Sequence, residues 1–334
     1  MRMHDLPRVR MAHLPTPLEE APRLTKSLGG PRIFFKRDDL TGVGLGGNKV
    51  RKLEYVMGRA VAEGADTLVV CGGFQSNLAR IAAAMGNRAG MHVELVLGGV
   101  PGEKRDLTGN LLINRFYGAN VHLVDTVPRW EFGTQVEDVA EELRRQGRRP
   151  FVVPLGASSP EGMAGYVNGT MELLRQLSEI KLDPSHLFVA IGSGGTYAGL
   201  MLGAANLPVS YRVVGISVSR TAEFLRDKIV SETHAAGKLL GLDKAPGPDD
   251  LKIHDNYIGG GYGNPTAGGL EAIALTAKTE GVLLDPVYSG KCMHGLIDQV
   301  REGAIGTGHT VVFLHTGGWP AIFSYDIEEL GLSN

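Results

Sequence analysis

The chain has 334 residues, enough for two domains, and its 43% hydrophobic and 21% charged residues are the balance of a soluble globular protein. Its formal net charge of −2 and the lack of a basic run argue against nucleic acid or a membrane surface as a partner. The first ten residues carry charges but no apolar run of the kind a secretory signal needs, so we expect a cytoplasmic protein.

Apolar runs alternate with amphipathic stretches along the chain. Each short apolar run predicts a buried strand, and the stretches between them have the helical spacing of apolar positions. This alternation predicts an α/β fold of open twisted parallel sheets, in which ligands bind at the carboxyl ends of strands. The predicted strands are 67–71, 92–97, 121–124, 151–154, 187–191, 212–218, 282–284 and 310–314; the predicted helices include 78–85, 111–116, 136–143 and 166–177, and 240–255 is a predicted surface excursion.

The two cysteines, Cys71 and Cys292, lie in separate apolar segments. They have no metal-ligand spacing and cannot form a disulfide framework, so we interpret both as small buried hydrophobes. The sequence also lacks the H-E-x-x-H and G-x-S-x-G motifs of zinc and serine hydrolases. We therefore predict no metal site, and we interpret the scattered histidines as structural.

Two glycines lead into a helix at Gly46-Gly47-Asn48-Lys49. A lysine in the first turn of a helix lies near the positive end of the helix dipole, which disfavours its charge. A partly neutral amine is what Schiff-base chemistry needs. The spacing also suits a solvated surface lysine beside Arg51 and Lys52, and spacing alone favours that alternative.

Two further glycine motifs follow predicted strands. Cys71-Gly72-Gly73-Phe74-Gln75-Ser76-Asn77 offers a helix N-cap and exposed backbone N–H groups that suit a carboxylate, although an ordinary capped turn fits equally well. Ile191-Gly192-Ser193-Gly194-Gly195-Thr196-Tyr197 opens a helix and is typical of a phosphate cradle. It is not a dinucleotide fingerprint, because the third glycine would fall on Tyr197, and it lacks the lysine of a P-loop.

The last two motifs also follow predicted strands and so reach the same edge of a parallel sheet. They are Asp285-Pro286-Val287-Tyr288-Ser289 and His315-Thr316-Gly317-Gly318-Trp319. Tyr288 suits an acid, a base or a packing residue. Thr316 suits a helix cap or a partner for a ring nitrogen, and the sequence does not decide between these roles.

The run Gly46–Tyr55, GGNKVRKLEY, resembles the cofactor-lysine motif of the family of D-cysteine desulfhydrase and 1-aminocyclopropane-1-carboxylate deaminase. The resemblance continues in order from residues 15–19 (PTPLE) and 36–39 (KRDD) to 315–318 (HTGG). It implies pyridoxal 5'-phosphate as the cofactor. It also implies the two-domain, open twisted parallel-sheet fold of the tryptophan-synthase β type (PLP fold type II), and a homodimer.

The resemblance implies a role for each matching residue. Lys49 would hold the cofactor as a Schiff base and then act as the base at the substrate Cα. Asn77 would bond the cofactor's phenolic oxygen, and Thr316 its pyridine nitrogen. The implied catalytic residues are Lys49, Tyr288, Ser76 and Tyr262; the implied substrate-binding residues are Ser76, Asn77, Gln75, Tyr262 and Tyr288; the implied phosphate cradle is Ser193, Gly194, Gly195, Thr196 and Tyr197, with Lys52 as a further candidate.

Two positions separate the subgroups of this family. The deaminases typically carry Glu after the tyrosine of the DPVY motif and Leu in the H-x-G-G motif, whereas this chain has Ser289 and Thr316. A carboxylate favours a protonated pyridine and a strong electron sink, but a hydroxyl donates to a neutral nitrogen. The weaker sink is adequate when a good leaving group is attached to Cβ, which favours α,β-elimination over opening of a cyclopropane.

Three residues depart from the desulfhydrases. Leu78 stands where they tend to have His, and Phe74 and Trp319 are bulkier than the usual residues. We expect these side chains to flank the pocket, so the substrate need not be D-cysteine. The L-cysteate sulfo-lyases of the same family release sulfite, and Arg80 and Arg220 are candidates for binding a sulfonate.

We therefore predict a PLP-dependent lyase, most like D-cysteine desulfhydrase, that converts a β-substituted amino acid to pyruvate and ammonia. The alternatives are L-cysteate sulfo-lyase, 1-aminocyclopropane-1-carboxylate deaminase and a non-catalytic cofactor-binding protein; Lys49 and Tyr288 argue against the last. We expect residues 1–49 and 159–334 to form the larger cofactor domain and residues 50–158 the smaller α/β domain, with the cofactor between them.

Overall fold

The computed structural model describes residues 3–99, 106–125 and 132–332, in which strands and helices alternate and confirm the α/β class. The strands are Leu18–Glu20 (β1), Arg32–Lys36 (β2), Thr67–Gly72 (β3), His92–Gly98 (β4), Asn120–Val124 (β5), Pro150–Val153 (β6), His186–Ile191 (β7), Arg212–Ser217 (β8), Lys252–His254 (β9) and Thr310–Leu314 (β10). The helices are Pro22–Leu28 (α1), Lys49–Ala62 (α2), Asn77–Arg88 (α3), Gly109–Phe116 (α4), Gly133–Arg145 (α5), Pro160–Glu179 (α6), Gly195–Asn206 (α7), Ala222–Leu240 (α8), Ala267–Glu280 (α9) and Ser289–Arg301 (α10).

Two sheets divide the strands between them. The larger has the order β1-β2-β10-β7-β8-β9 and is parallel except for β1. The smaller has the order β5-β4-β3-β6 and is parallel throughout. All strands of the smaller sheet come from residues 67–153, and the larger sheet takes strands from both sides of that segment. Such a division is what a two-domain chain would show. The domain boundaries near residues 49 and 158 stay a prediction.

The central strands are continuous apolar runs because helices cover both faces of a parallel sheet. Every residue of β3 is buried, and β7 and β8 are buried except at their first residue. Cys71 and Cys292 are both buried free thiols, which confirms the interpretation of the cysteines. Within the described ranges, no helix has the length and apolar character needed to cross a membrane.

The structure differs from the predicted strands at four places. β1 and β9 have three residues each and lie at the edges of the sheet, so their sequences show no apolar run. β9 lies inside the predicted surface excursion, and β2 was not predicted because charged residues flank its short apolar core. Residues 282–284 form no strand, which corrects that prediction. Val282 and Leu284 instead pack into the core, and the Leu283 carbonyl accepts a hydrogen bond from His315 Nε2 at 3.2 Å.

A buried network of ion pairs fixes the start of α2. The Arg51 guanidinium donates to both carboxylate oxygens of Asp38 at 2.8 Å and to Glu172 at 2.8 and 2.9 Å. Tyr166 donates its hydroxyl to Asp38 at 2.6 Å, and Lys36 Nζ pairs with Glu172 at 2.5 Å. Burial opposes ionisation of Asp38, but the Arg51 charge holds the pKa of that carboxyl below its usual value. The network therefore joins α2 to the end of β2 and to α6.

Candidate active site

A cavity of about 330 Å³ is lined by loops that follow strands of both sheets. This volume suits a small molecule, since such pockets measure about 300–1,000 Å³. The structure brings most of the predicted site residues to this one cavity. Those lining it are Lys49, Ser76, Asn77, Ser193, Gly194, Thr196, Tyr197, Tyr262, Tyr288 and Thr316.

Lys49 is the first residue of α2 and lines the cavity. Burial lowers the pKa of its amine to about 8, because the charged form is poorly solvated there. The nearby helix N-terminus acts in the same direction. Lys49 is therefore a partly neutral amine inside a pocket, and the alternative of a solvated surface lysine does not describe it.

Lys52, one turn further along α2, is a completely buried lysine. Its Nζ donates to the Gly156 carbonyl at 2.7 Å and to Ser158 Oγ at 3.2 Å. Burial, followed by the charge of Lys49, lowers the pKa of Lys52 well below its usual value. No carboxylate lies among these hydrogen-bond partners, so the amine has spare capacity for an anion.

The start of α7 completes this end of the cavity. Ser158 Oγ bonds Ser193 Oγ at 2.8 Å and accepts from Gly195 N at 3.2 Å, so this hydroxyl joins the loop after β6 to the loop after β7. A Cβ added at Gly195 would lie 2.5 Å from Ser158 Oγ and 2.6 Å from Lys52 Nζ, so a side chain here would displace both groups. The Tyr197 hydroxyl is turned away and donates to the Lys252 carbonyl at 3.2 Å. The helix N-terminus, its free N–H groups and the lysine form a cradle for an anion.

Ser76 and Asn77 begin α3 at the end of β3. Ser76 is the N-cap, and its Oγ accepts from Ala79 N at 3.2 Å. Asn77 follows and turns its Oδ1 towards Arg80 NH2 at 3.3 Å and Asn110 Nδ2 at 2.9 Å. These bonds leave the Asn77 Nδ2 amide group to face the cavity.

Two tyrosines close another side of the cavity. The Tyr262 and Tyr288 hydroxyls are 2.6 Å apart, and the rings meet edge to face with centroids 5.7 Å apart. Burial raises the pKa of Tyr288, so its phenol keeps its proton at neutral pH. Lys291 Nζ donates to the carbonyls of Ile258 and Gly261 at 2.7 and 3.0 Å and holds the loop that carries Tyr262.

Thr316 and Ser289 have different positions relative to the cavity. Thr316 lines it, at the end of β10. Ser289 does not line it, because its Oγ donates to Asp285 Oδ1 at 2.6 Å and accepts from Asp285 N at 2.7 Å. The Asp285 carboxylate also accepts from three backbone N–H groups at the start of α10, so its acceptor sites are occupied.

In addition to Ser289 and Lys52, five residues singled out in the sequence do not line the cavity. Gln75 uses its amide to accept from Asn110 N and to donate to Thr108 O. Phe74 lies in the hydrophobic core, 1% exposed, so the expectation that it flanks the pocket is wrong. The others off the cavity wall are Gly195, whose N–H bonds Ser158; Trp319, which packs against Phe323; and Arg80, which is buried behind Asn77. Leu78 and Arg220 do line the cavity.

The lining residues outside the predicted set include Asn48, Ser158, Lys228 and Glu232. Asn48 donates to Thr196 Oγ1 at 3.0 Å, and Lys228 pairs with Glu232 one turn later on α8. Ser158 had a signal in the sequence, because residues 156–159 (GASS) follow the predicted strand 151–154 at the sheet edge where ligands bind. The α8 pair had no local signal.

The family model described as pyridoxal-phosphate dependent enzyme matches residues 9–317. D-cysteine desulfhydrase of Salmonella typhi is 38% identical over 331 residues, covering 97% of this chain and 99% of that protein. A protein of Pyrococcus abyssi provisionally named 1-aminocyclopropane-1-carboxylate deaminase is also 38% identical, covering 98% of this chain and 96% of its own. The solved structure of an ACC deaminase homologue, 38% identical, matches with a TM-score of 0.90 over 99% of this chain and 98% of its own.

Proposed function

This chain belongs to the pyridoxal-phosphate dependent enzyme family, and on that premise we propose that it catalyses α,β-elimination of a β-substituted amino acid. It is an enzyme with pyridoxal phosphate as its cofactor, and its fold is the predicted fold type II. Our first candidate substrate is D-cysteine, with pyruvate, ammonia and sulfide as products. Similarity to D-cysteine desulfhydrase over nearly the whole chain supports this choice.

The residues of the cavity fit the cofactor. An aldehyde needs an amine that is neutral near physiological pH, and burial brings the pKa of Lys49 to about 8. A phosphate needs an anion cradle, and the Gly195 site is a cradle that a Cβ would fill, with Lys52 as the nearest cation. We propose that Lys52 and the residues 193–196 hold the phosphate, Asn77 the phenolic oxygen and Thr316 the pyridine nitrogen.

The observation that carries the choice of elimination is the scarcity of carboxylates at the cavity. In the described residues, Glu232 is the one acid on the cavity wall, and it pairs with Lys228 on α8. Thr316 offers a hydroxyl at the end of β10, and Ser289 is committed to Asp285. This arrangement supports a weakly activated ring nitrogen, which suffices when sulfur leaves from Cβ.

The chain's own groups account for the proton movements. The bound cofactor supplies an electron sink for charge that develops at Cα. Lys49 Nζ, once displaced by the substrate amine, accepts the Cα proton. Tyr288, which keeps its proton and bonds Tyr262, donates to the departing sulfur. Backbone N–H groups at the start of α3, beside Ser76, bind the substrate carboxylate. Loss of the Cα–H and Cβ–S bonds leaves an enamine, which water converts to pyruvate and ammonia.

The test is a product screen of the cofactor-loaded enzyme. Pyruvate is followed with D-cysteine, L-cysteine, L-cysteate, β-chloro-D-alanine and D-serine, and 2-oxobutyrate with 1-aminocyclopropane-1-carboxylate. We expect pyruvate with stoichiometric sulfide from D-cysteine. Lys49→Ala should abolish both products, whereas Lys26→Ala, at an exposed lysine of α1, should retain them. Full turnover by Lys49→Ala would refute the role of Lys49.

A second candidate is sulfite release from L-cysteate. It is favoured by Arg220, which lines the cavity with its guanidinium carbon 4.9 Å from the centre of the Phe224 ring. A sulfonate prefers such a charge-assisted donor. If L-cysteate is the substrate, Arg220→Gln should lower kcat/KM for L-cysteate and leave β-chloro-D-alanine unaffected.

Two other outcomes of the screen would replace the proposal. 2-Oxobutyrate without pyruvate would identify a deaminase of the cyclopropane amino acid and would mean that a hydroxyl at Thr316 is a sufficient ring partner. No product, together with an unchanged cofactor absorbance on adding amino acids, would identify a non-catalytic cofactor-binding protein.

We also propose a cytoplasmic homodimer that acts on a free amino acid without nucleic acid or membrane. Each subunit would have a larger cofactor domain, residues 1–49 and 159–334, and a smaller domain, residues 50–158. Light scattering of the purified protein tests the dimer, and a mass near the 35.6 kDa of one chain would exclude it.

A further inference from the structure

Helices α3 and α4 enclose a polar seam directly behind Asn77. Arg80, one turn along α3 from Asn77, is 0% exposed, and so are Asn110 and Asn114 on the facing side of α4. Buried polar groups at a helix interface are costly unless they are bonded, so their presence calls for a function. None of these three residues lines the cavity.

Arg80 connects the two loops that meet the cofactor. Its NH2 donates to the Gly46 carbonyl at 3.2 Å, three residues before Lys49, and to Asn77 Oδ1 at 3.3 Å. Its Nε and NH1 make no hydrogen bond with the described residues. Burial lowers the pKa of Arg80 to about 10, so the guanidinium stays charged at neutral pH. Its hydrogen-bond partners include no carboxylate, and its charge is directed at the Asn77 amide.

The orientation of the Asn77 amide is fixed through backbone groups that have only one hydrogen-bonding role. The Thr108 carbonyl can only accept a hydrogen bond, so the Gln75 side-chain atom that faces it must be the donor Nε2. The Asn110 backbone N–H can only donate, so the Gln75 side-chain atom that faces it must be the acceptor Oε1. The Gln75 backbone carbonyl can only accept, so the Asn110 side-chain atom that faces it must be the donor Nδ2. The same Nδ2 donates to Asn77 Oδ1 at 2.9 Å. Because a guanidinium has no acceptor, Arg80 imposes the same orientation.

The other face of the Asn77 amide is therefore a donor. Asn77 Nδ2 lies beside Gly318, where an added Cβ would be 3.0 Å away, and Asn77 itself lines the cavity. A positive charge behind the carbonyl end of an amide polarises it and strengthens the N–H at the opposite end. A stronger donor favours an anionic partner over a neutral one.

We propose that Arg80 and Asn110 are positioning residues that turn the Asn77 Nδ2–H towards the cofactor's phenolic oxygen and hold that oxygen in its anionic form. The inference rests on the proposed placement of the phenolic oxygen against Asn77. Neither residue touches the cofactor; both act through Asn77. Arg80 supplies charge and orientation, whereas Asn110 supplies orientation alone.

The experiment is a pH titration of the visible absorbance of the lysine-bound cofactor in the holoenzyme. Arg80→Met should raise the titration midpoint by about one pH unit or more, the size expected on removing a nearby opposite charge. Arg80→Lys, which keeps a charge but loses the planar fork, should give a smaller rise. Asn110→Ala should also raise the midpoint. Asn114→Ala is the matched control, because Asn114 is equally buried one turn away on α4 and makes no bond to Asn77.

These variants leave the other charged groups around Arg80 and around the cavity unchanged. Tyr117, at the end of α4, is the titratable group that acts on Arg80. Lys49 at the start of α2 and Tyr288 just before α10 still line the cavity, and Lys52 keeps its hydrogen bond to the Gly156 carbonyl.

Each outcome separates the inference from the proposed function. A wild-type midpoint in Arg80→Met and Asn110→Ala, alongside a raised midpoint in Asn77→Ala, overturns the inference and keeps the site. A wild-type midpoint in Asn77→Ala overturns the placement of the phenolic oxygen as well. An equal rise in Asn114→Ala would reduce Asn110 to a packing role. Should Arg80→Met not fold, Arg80→Lys and Asn110→Ala carry the test.

Discussion

Arg51→Met removes the centre of the network that fixes α2. The side chain is 2% exposed and that of Asp38 1%, so both charges depend on each other rather than on water. The change deletes two hydrogen bonds to Asp38, two to Glu172 and one to Thr16. Glu172 keeps Lys36 as a cation partner, whereas Asp38 keeps only hydroxyl donors from Thr16 and Tyr166.

Asp38 is therefore left without its direct ion-pair partner, and only the charge of Lys36 still acts on it. Breaking a buried pair in this way costs about 3–5 kcal/mol. For a chain of this size that lowers the Tm by roughly 4–7 °C. The matched control is Arg59→Met on the same helix, where Arg59 and Glu63 are 51% and 50% exposed. Such exposed pairs contribute about 0–1 kcal/mol, so the control should stay near the wild-type Tm.

The pH dependence gives a second readout with a definite sign. The pKa values of Asp38 and Glu172 are lower in the folded protein than their usual values, despite burial, because of the Arg51 charge. Groups with a depressed folded pKa contribute stability above their unfolded pKa of about 4 and lose it as the pH falls further. The Tm difference between wild type and Arg51→Met should therefore be full at pH 7 and shrink below about pH 4. Equal Tm values for Arg51→Met and Arg59→Met at pH 7 would refute the reasoning.

Three further predictions concern the cavity. Tyr288→Phe should lower kcat roughly 10²–10⁴-fold, as for loss of a general acid, with little change in KM; an unchanged kcat would exclude Tyr288 as the proton donor. Lys52→Met should raise the Tm of the cofactor-free protein, because a fully buried amine whose pKa is lowered by burial is replaced by an apolar side chain, yet weaken cofactor binding in equilibrium dialysis, whereas Lys238→Met at an exposed position of α8 should do neither. The rate at which the cofactor-free protein captures pyridoxal phosphate should rise with pH and level off above about 8, the pKa of Lys49; a rise continuing towards pH 10 would mean that this amine is not buried.

Much of the site was predictable because its signals are local. A strand, a glycine turn and a helix start occur in sequence at β3–α3 and β7–α7, and the chemistry of such turns is set by adjacent residues. Ser76 is the N-cap that its position indicates. Lys49 is the first residue of α2, and it is from this position that the sequence predicts a partly neutral amine. These features need no knowledge of how distant segments pack.

The remainder depends on contacts between distant residues. Ser158 reaches Lys52 and Ser193 only after its loop has packed against α2 and against the loop before α7. Arg80 was a candidate for a sulfonate, but it lies one helical turn below the start of α3, where α4 covers it. Val282 and Leu284 pack into the core without forming a strand, and an apolar run alone does not distinguish packing from strand pairing.

The buried cations near the cavity fall into two kinds. Arg51 is matched by the carboxylates of Asp38 and Glu172, so its charge is balanced without any ligand. Lys52 and Arg80 have no carboxylate among their hydrogen-bond partners in the described chain, and each lies behind a part of the cavity proposed to bind an anionic oxygen of the cofactor. Burial lowers the pKa of both side chains because their charged forms are poorly solvated, and an anionic ligand supplies a partner for those charged forms. Cofactor binding should therefore raise the Tm of the wild type more than that of Lys52→Met, because the variant has no amine to pair with the anionic ligand.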